Sequence, residues 1–477
     1  MAKLARSSAL QFGVEMLQTV VGFVATIYFA RLLGSGTLGQ YFLALALVNW
    51  LLIPTKGIRG TTQKRISEDT DQDAYFTAGT TLQIALLAVI VAVLVLFRGR
   101  VDAYLGFQGT MLVAALFVFK GIGTFLRAIL RGEHRVELAA LVGGAWELLR
   151  IGLQVVLVVA GFKLVGLLVG EIAAAAVISV AILAVSSLGI ARPTREHLRH
   201  LYDYGKYAWL TTIKPYAYSW MDVLVLGFFV ADSAIGVYEI SWRISAAFIL
   251  LPSAMSKVVF PYLSRHAAEG RTDEIASTLT TVTTFAGLFA IPGVAGAIVL
   301  GEDILAIYGP EFTAGATILA VLAVGRLGQA YETFLMQSLN AIDRPDATFR
   351  ISIVFIAVNL TLNVVLAWQF GAIGAAVATA VTVLLGTVLA GRILHRIVGF
   401  GVDWRTIGVQ VASAATMAVV VALLRRQFQS VTDVETLVLV GIGVGVYGSG
   451  VFVGSAAART QARRLLDQVF DQTPLEL

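Results

Sequence analysis

The chain has no cysteine, which excludes disulfide frameworks, cysteine-ligated zinc and iron–sulfur clusters and says nothing about compartment. Histidine is scarce: five residues, at 134, 197, 200, 266 and 395, too dispersed for a histidine-based metal cluster. Charge is scarce too. Lys, Arg, Asp and Glu make up 14% of the 477 residues, against about 25% in an average soluble domain. Walker loops, HExxH and GxSxG are all missing, so no catalytic arrangement or cofactor site emerges. Apolar residues fill the gap: they are 58% of the chain, and the mean hydropathy is +0.83. So few charges could not cover a soluble domain of this length, and an all-α integral membrane protein is the reading that remains. In such a protein the net charge of +5 is read by where it sits, not as a nucleic-acid signal.

A span needs about 20 mostly apolar residues. That rule picks out fourteen segments: 9–31, 38–58, 76–97, 109–130, 138–161, 164–190, 204–230, 234–256, 274–300, 313–339, 348–368, 371–391, 405–424 and 434–456. Apolar runs of this length fit helices, not barrel strands. The first segment follows Lys3 and Arg6 but carries Gln11, Glu15 and Gln18 and lacks a convincing cleavage site, so it reads as a retained helix. With fourteen alternating spans, and residues near span ends assigned to the adjoining side, 24 of the 35 lysines and arginines fall on the side of the N-terminus, six on the other side and five deeper within spans. That bias predicts cytoplasmic N- and C-termini in the plasma membrane.

Three short matches recur in order. Leu38-Gly39-Gln40-Tyr41 resembles Ile235-Gly236-Val237-Tyr238, 197 residues on. Leu130-Arg131-Gly132-Glu133-His134-Arg135 parallels Leu339-Asn340-Ala341-Ile342-Asp343-Arg344 at an offset of 209, and Phe162-Lys163-Leu164-Val165-Gly166 parallels Phe370-Gly371-Ala372-Ile373-Gly374 at 208. Together they imply spans 1–6 duplicated as spans 7–12. Because six is even, this is a parallel repeat, and it predicts two lobes that rock about a site near the midplane. The expected organisation is an N-lobe over 1–200, a C-lobe over 201–400, and two further helices with a cytoplasmic tail over 401–477.

Ionisable groups inside a membrane are costly and mark candidate sites. On the first span Gln11, Glu15, Gln18, Gly22 and Thr26 form one polar stripe, which reads as facing an aqueous cavity, with helix–helix hydrogen bonding as the alternative. On the seventh, Lys214 and Asp222 lie about 80° apart on a helix interrupted by Pro215; Lys214 snorkelling to the interface is the competing account. On the eighth, Glu239 and Arg243 are spaced to pair. Arg243 is also the best-placed candidate to hold an anionic head group bidentately. Glu147 and Arg150 are expected to neutralise each other. Arg326 and Glu332 point different ways and need other partners, Lys120 has no local partner, and Glu171 reads as interfacial. Asn359 and Asn363 are expected to bond a neighbouring helix.

The segment Ala341-Ile342-Asp343-Arg344-Pro345, through Asn359 and Asn363 to Phe370-Gly371-Ala372-Ile373-Gly374-Ala375-Ala376-Val377-Ala378-Thr379, resembles the C-terminal lobe of polysaccharide flippases. Tyr308-Gly309-Pro310-Glu311-Phe312 does so too, and Phe29-Ala30-Arg31-Leu32-Leu33-Gly34 with Leu38-Gly39-Gln40-Tyr41 is similar to the family's usual start. These are lipid-linked oligosaccharide exporters of the multidrug/oligosaccharidyl-lipid/polysaccharide exporter superfamily, and the absence of cysteine with acidic loops such as Glu68–Asp73 is similar to haloarchaeal members. The resemblance implies a V-shaped transporter like the multidrug exporters of that superfamily. It implies movement of polyprenyl- or dolichyl-linked glycans to the outer leaflet through a cationic cavity, without enzyme activity, cofactor or nucleic acid, by a monomer among membrane lipids. The cations matching that cavity are Arg243, Lys214, Arg326 and Lys120, with Arg150 a further one. Glu15, Asp222, Glu239 and Gln18 make the interior mixed, which leaves room for a carboxylate that binds H+ or Na+. Competing readings are an ion-coupled multidrug or peptidoglycan-precursor exporter of the same superfamily, and a membrane glycosyltransferase or polymerase, which the short outer loops disfavour.

Overall fold

A computed structural model describes residues 2–68, 70–208, 213–428 and 431–460. The described chain is helical, with no β-strand among the described residues. The chain divides into two compact units, Met1–Gly236 and Val237–Leu477.

The first unit holds α1 (Ala2–Leu51), α2 (Thr55–Ile66), α3 (Gln72–Leu96), α4 (Arg98–Leu105), α5 (Thr110–Gly132), α6 (Val136–Val159), α7 (Lys163–Val185), α8 (Arg195–Ala208), α9 (Ile213–Phe229) and the start of α10 (Asp232–Ala246). Its core gathers Phe125, Ile129, Leu130, Trp146 and Ile178 from α5, α6 and α7. The second unit holds the rest of α10, then α11 (Leu250–Ala268), α12 (Thr272–Ala286), α13 (Ala290–Ala306), α14 (Ala316–Ala341), α15 (Pro345–Val398), α16 (Trp404–Arg425) and α17 (Asp433–Gly454). One of its cores joins Leu279, Leu339, Ile351 and Leu394, and another joins Leu300, Met417, Leu439 and Tyr447. Large apolar side chains such as Val156, Val180, Val444 and Val453 point outward, as a lipid-facing surface requires.

Among the described residues ten helical stretches are long and apolar enough to cross a membrane, eleven if the bent pair Asp232–Ile249 and Pro252–Ala268 counts as one. α1 and α15 each run through a turn and take in all or part of two of the expected fourteen segments, and α9, in the seventh, is described over only 17 residues. The 54 residues of α15 would extend about 81 Å, far beyond a hydrocarbon core of about 30 Å. The chain bends inside it at Gly371 (φ 59°, ψ −138°), and inside α1 at Gly34 (φ 78°, ψ 170°). Side-chain-bearing residues avoid both conformations, so glycine is what lets the chain double back. The seventh sequence segment crosses residues 209–212, which lie outside the described residues.

The sequence repeats return as repeated backbone geometry. His134 and Asp343 both take left-handed φ values, 58° and 59°. Each follows a helix closed by matching bonds: Arg135 N–H donates to the Leu130 carbonyl, and Arg344 N–H to that of Leu339. Lys163 (φ 44°) and Gly371 (φ 59°) occupy the corresponding place in the third pair. The compact units divide later than the 200/201 boundary expected from the sequence, and α9 packs on α1 within the first unit.

The α4–α5 turn rests on one carboxylate. Asp102 accepts bonds from the Thr110 hydroxyl (2.7 Å) and from the N–H groups of Thr110 (2.8 Å) and Gly109 (2.9 Å). Those donors hold its carboxyl below the usual range. A carboxylate depressed in the folded state adds stability above its unfolded pKa and loses it as pH falls through the folded value. Asp102→Ala is therefore expected to lower the thermal midpoint at pH 7, and the gap to wild type should close on acidification. A gap that stays constant down to pH 3 would show the bonds to be immaterial.

Candidate functional site

In the first unit the polar face of α1 meets α6. Gln18 Nε2 donates to the Gly143 carbonyl at 2.8 Å. Gly22 comes close to Glu147: a side-chain carbon there would lie 3.6 Å from the carboxylate. Besides that interhelical bond, Gln18 lines a cavity of about 270 Å3 with Lys120, Arg127, Glu147, Arg150 and Glu171. The side chain of Glu15 lies outside the described residues.

The wall of that cavity is a buried ionic network. Glu171 on α7 takes Lys120 Nζ at 3.3 Å and Arg150 Nε at 3.6 Å, and accepts from the Tyr41 hydroxyl at 3.2 Å. Arg150 also pairs with Glu147 on its own helix and donates to Gln154 Oε1 at 2.9 Å. Gln154 in turn donates to Tyr41 Oη at 3.0 Å and to the Leu167 carbonyl at 2.8 Å. Glu171 is 5% exposed and forms the centre of the network, and Lys120, which has no local partner, takes this carboxylate from 51 residues away. The helix face, not the distance from the span's end, decides burial, and a face becomes visible only when α5, α6 and α7 are packed. The Glu147–Arg150 pair is as expected.

Further along the first unit, Asp222 on α9 is buried at 3% exposure and Lys214 is half-buried. Both take part in polar or electrostatic contacts.

In the second unit Glu239 and Arg243 pair at 3.1 Å, the carboxylate deeply buried and the guanidinium at 36% exposure. Arg326 on α14 is 3% exposed. Its partners are the Ser245 hydroxyl (3.1 Å), Gln329 Oε1 (2.7 Å) and the Trp242 carbonyl (3.4 Å), and its guanidinium sits 4.0 Å over the Trp242 ring. Arg326 thus clamps α14 to α10. On α15, Asn359 Nδ2 donates to Thr379 Oγ1 at 3.4 Å, tying the two halves of that bent helix together.

The structure therefore gathers Gln18 and Lys120 in one unit, and Glu239, Arg243 and Arg326 along α10 and α14 in the other. Arg127 and Glu171 belong to the first cavity without having stood among the chosen residues. The spacing of Arg127 to Lys120, seven residues or two turns, was the signal available for the former. No group of three or more His, Asp or Glu suited to a metal occurs among the described residues.

Comparison with known proteins gives consistent results. The polysaccharide biosynthesis protein family matches residues 28–317. A probable flippase from Haloferax volcanii, AglR, is 40% identical over 475 residues, covering 98% of this chain and 99% of that one. A probable low-salt glycan biosynthesis flippase of the same organism, Agl15, is 30% identical over 443 residues, covering 92% and 93%. Among solved structures, the lipid II flippase MurJ in an inward closed conformation superposes with a TM-score of 0.78 at 16% identity, over 93% of this chain and 98% of that one. An inward-facing multidrug transporter of the MATE family reaches 0.64 at 15%, over 82% and 98%. The fold is that of the superfamily these two transporters share, and the protein is a multi-pass membrane protein.

Proposed function

Because the chain belongs to the polysaccharide biosynthesis protein family, we propose that it is a flippase. It moves oligosaccharides linked to polyprenyl or dolichyl phosphate from the cytoplasmic to the outer leaflet, by alternating access, for surface polysaccharide or glycoprotein assembly. The observation that carries this is 40% identity, end to end, to a probable flippase. The physical need fits. A glycan and its phosphate cannot enter hydrocarbon, while an isoprenoid tail can stay there, so the protein must offer a polar, charge-lined interior inside an apolar body.

In this reading the lobes of duplication are 1–200 and 201–400, followed by the 401–477 appendage. The protein works as a monomer in the plasma membrane, with both termini cytoplasmic. Arg243 and Lys214 meet the phosphate directly. Lys120 and Arg326, already engaged with Glu171 and with Ser245, Gln329 and Trp242, shape the interior. Glu15, Asp222 and Glu239, with Gln18, are the groups through which H+ or Na+ would couple.

The test is translocation in proteoliposomes holding this protein alone. A short fluorescent glycan on a dolichyl or polyprenyl phosphate carrier is followed by its accessibility to an external glycan-modifying enzyme. Wild type is expected to translocate, and Arg243→Ala to slow it at least tenfold. Unchanged transport would reduce Arg243 to the structural partner of Glu239. No transport by folded wild type across several carriers would favour an ion-coupled exporter, with dye efflux as the next assay.

A further inference from the structure

Several cations in the helical body have a carboxylate. Lys120 and Arg150 have Glu171 and Glu147, Arg243 has Glu239, and Arg65 has Glu68. A cluster of four on two adjoining helices does not. Lys56 and Arg59 on α2, and Arg127 and Arg131 on α5, make no ion pair or hydrogen bond to any carboxylate among the described residues, and what they feel from one another is repulsion. Arg59 lies in the field of both Arg131 and Arg127, Arg131 in that of Arg127, and Lys56 in that of Arg59.

The placement follows from the two helices. Arg127 and Arg131 are four apart and Lys56 and Arg59 three apart, so each pair shares a face. α2 and α5 meet closely where Gly132 packs on the Gln63 carbonyl and on Ile66; a side-chain carbon at 132 would stand 2.9 Å from that oxygen. Lys56 is buried with its ammonium over the Tyr216 ring, and the three arginines are half-buried. Arg127 also lines the 270 Å3 cavity, two helical turns from Lys120. The cations thus continue along one side of α5, from its C-terminal end to the neutralised network.

Four half-desolvated like charges are unfavourable unless an anion completes them. Guanidinium groups in this number match the several oxygens of a phosphoryl group better than a single carboxylate. We propose that Lys56, Arg59, Arg127 and Arg131 form the docking site where the phosphoryl head of an isoprenoid-linked substrate is first held, before the α5–α6–α7 cavity. This rests on the flippase reading, which makes the C-terminal end of α5 the cytoplasmic one. The same phosphoryl chemistry is carried by ordinary anionic phospholipids, so the experiment must separate the two.

The purified full-length protein in zwitterionic nanodiscs is titrated with farnesyl phosphate, with farnesol as the uncharged control and phosphatidylglycerol as competitor. Wild type is expected to bind farnesyl phosphate, to ignore farnesol, and to hold its ligand against an equal concentration of phosphatidylglycerol. The Arg59→Gln/Arg131→Gln double variant should raise Kd at least tenfold, and Arg127→Gln at least fivefold. The charge-keeping Arg59→Lys/Arg131→Lys pair should stay within about threefold, and Arg344→Gln, at an exposed pair with Asp346, should have no effect.

Removing repulsion should also leave the thermal midpoint of the ligand-free double variant equal to or above wild type. A purely structural role would lower it, so a variant that fails to fold overturns the proposal. So do a Kd within twofold of wild type, equal binding of farnesol, and displacement by phosphatidylglycerol at parity. The flippase reading fails separately. Binding that depends on the cluster without any glycan translocation keeps the site and loses the transport, whereas translocation with cluster-independent binding does the reverse.

Discussion

Glu171→Ala is expected to cost about 3–5 kcal/mol, the range for breaking a buried ion pair from one side. Glu171 lies 3.3 Å from Lys120, 3.6 Å from Arg150 and 3.2 Å from the Tyr41 hydroxyl. Its loss leaves Lys120, 19% exposed, with no carboxylate among its described contacts, while Arg150 keeps Glu147. The cost therefore concentrates on Lys120, and a second substitution should recover much of it. Glu171→Leu combined with Lys120→Met removes both charges of the pair and substitutes apolar volume, which in buried pairs is often neutral or better. A double-mutant cycle on the detergent-solubilised midpoint should show coupling of about 1–3 kcal/mol. A single variant that costs less than about 1 kcal/mol would mean that water reaches Lys120 and the network is solvated. Translocation in the rescued double variant then separates roles. If transport returns with stability, the pair only builds the cavity wall; if the protein is stable but inactive, its charges serve the substrate.

What could be read beforehand divides along a physical line. The pairs Glu147–Arg150 and Glu239–Arg243 were legible because three- and four-residue spacing forces proximity on any helix. The membrane helices were legible because lipid demands long apolar runs, and the turn after α5 because Leu130–Arg135 and Leu339–Arg344 solve the same chain reversal. The network around Glu171 was not legible because its three partners stand on other helices; those bonds span 51 residues to Lys120 and 130 to Tyr41. Helical periodicity says which residues share a face and nothing about which helix that face meets. For the same reason Arg326 showed no partner in sequence: Ser245 and Trp242 lie 81 and 84 residues away. The number of spans is hard to read for a different reason. Glycines at 34 and 371 turn the chain without interrupting the helical hydrogen bonding for long, so segments distinct in hydropathy run together as single helices.

Gly39 and Gly236, the glycines of the first repeated motif, are expected to tolerate no side chain at all. Within the first unit the start of α10 crosses the second half of α1 backbone to backbone. A carbon added at Gly39 would stand 1.7 Å from the Asp232 carbonyl oxygen, and one added at Gly236 2.1 Å from that of Ser35. Neither obstacle is the end of a flexible side chain, so the helices themselves must part. The crossing is secured beside the glycines by Gln40, whose Nε2 donates to Asp232 Oδ2 at 2.9 Å, and Tyr104 donates to the Leu224 carbonyl at 2.7 Å nearby. Overpacking costs about 1–3 kcal/mol when side chains can yield, and a backbone clash belongs at the upper end. Because the chain has no cysteine, the separation can be read directly. Gln40→Cys and Asp232→Cys joined by a short thiol cross-linker should react readily, and adding Gly39→Leu should slow the reaction at least fivefold and lower the midpoint. If Gly39→Leu leaves both cross-linking and stability unchanged, the two helices do not stay in contact, and the glycines of the repeat must be explained by flexibility instead of close approach.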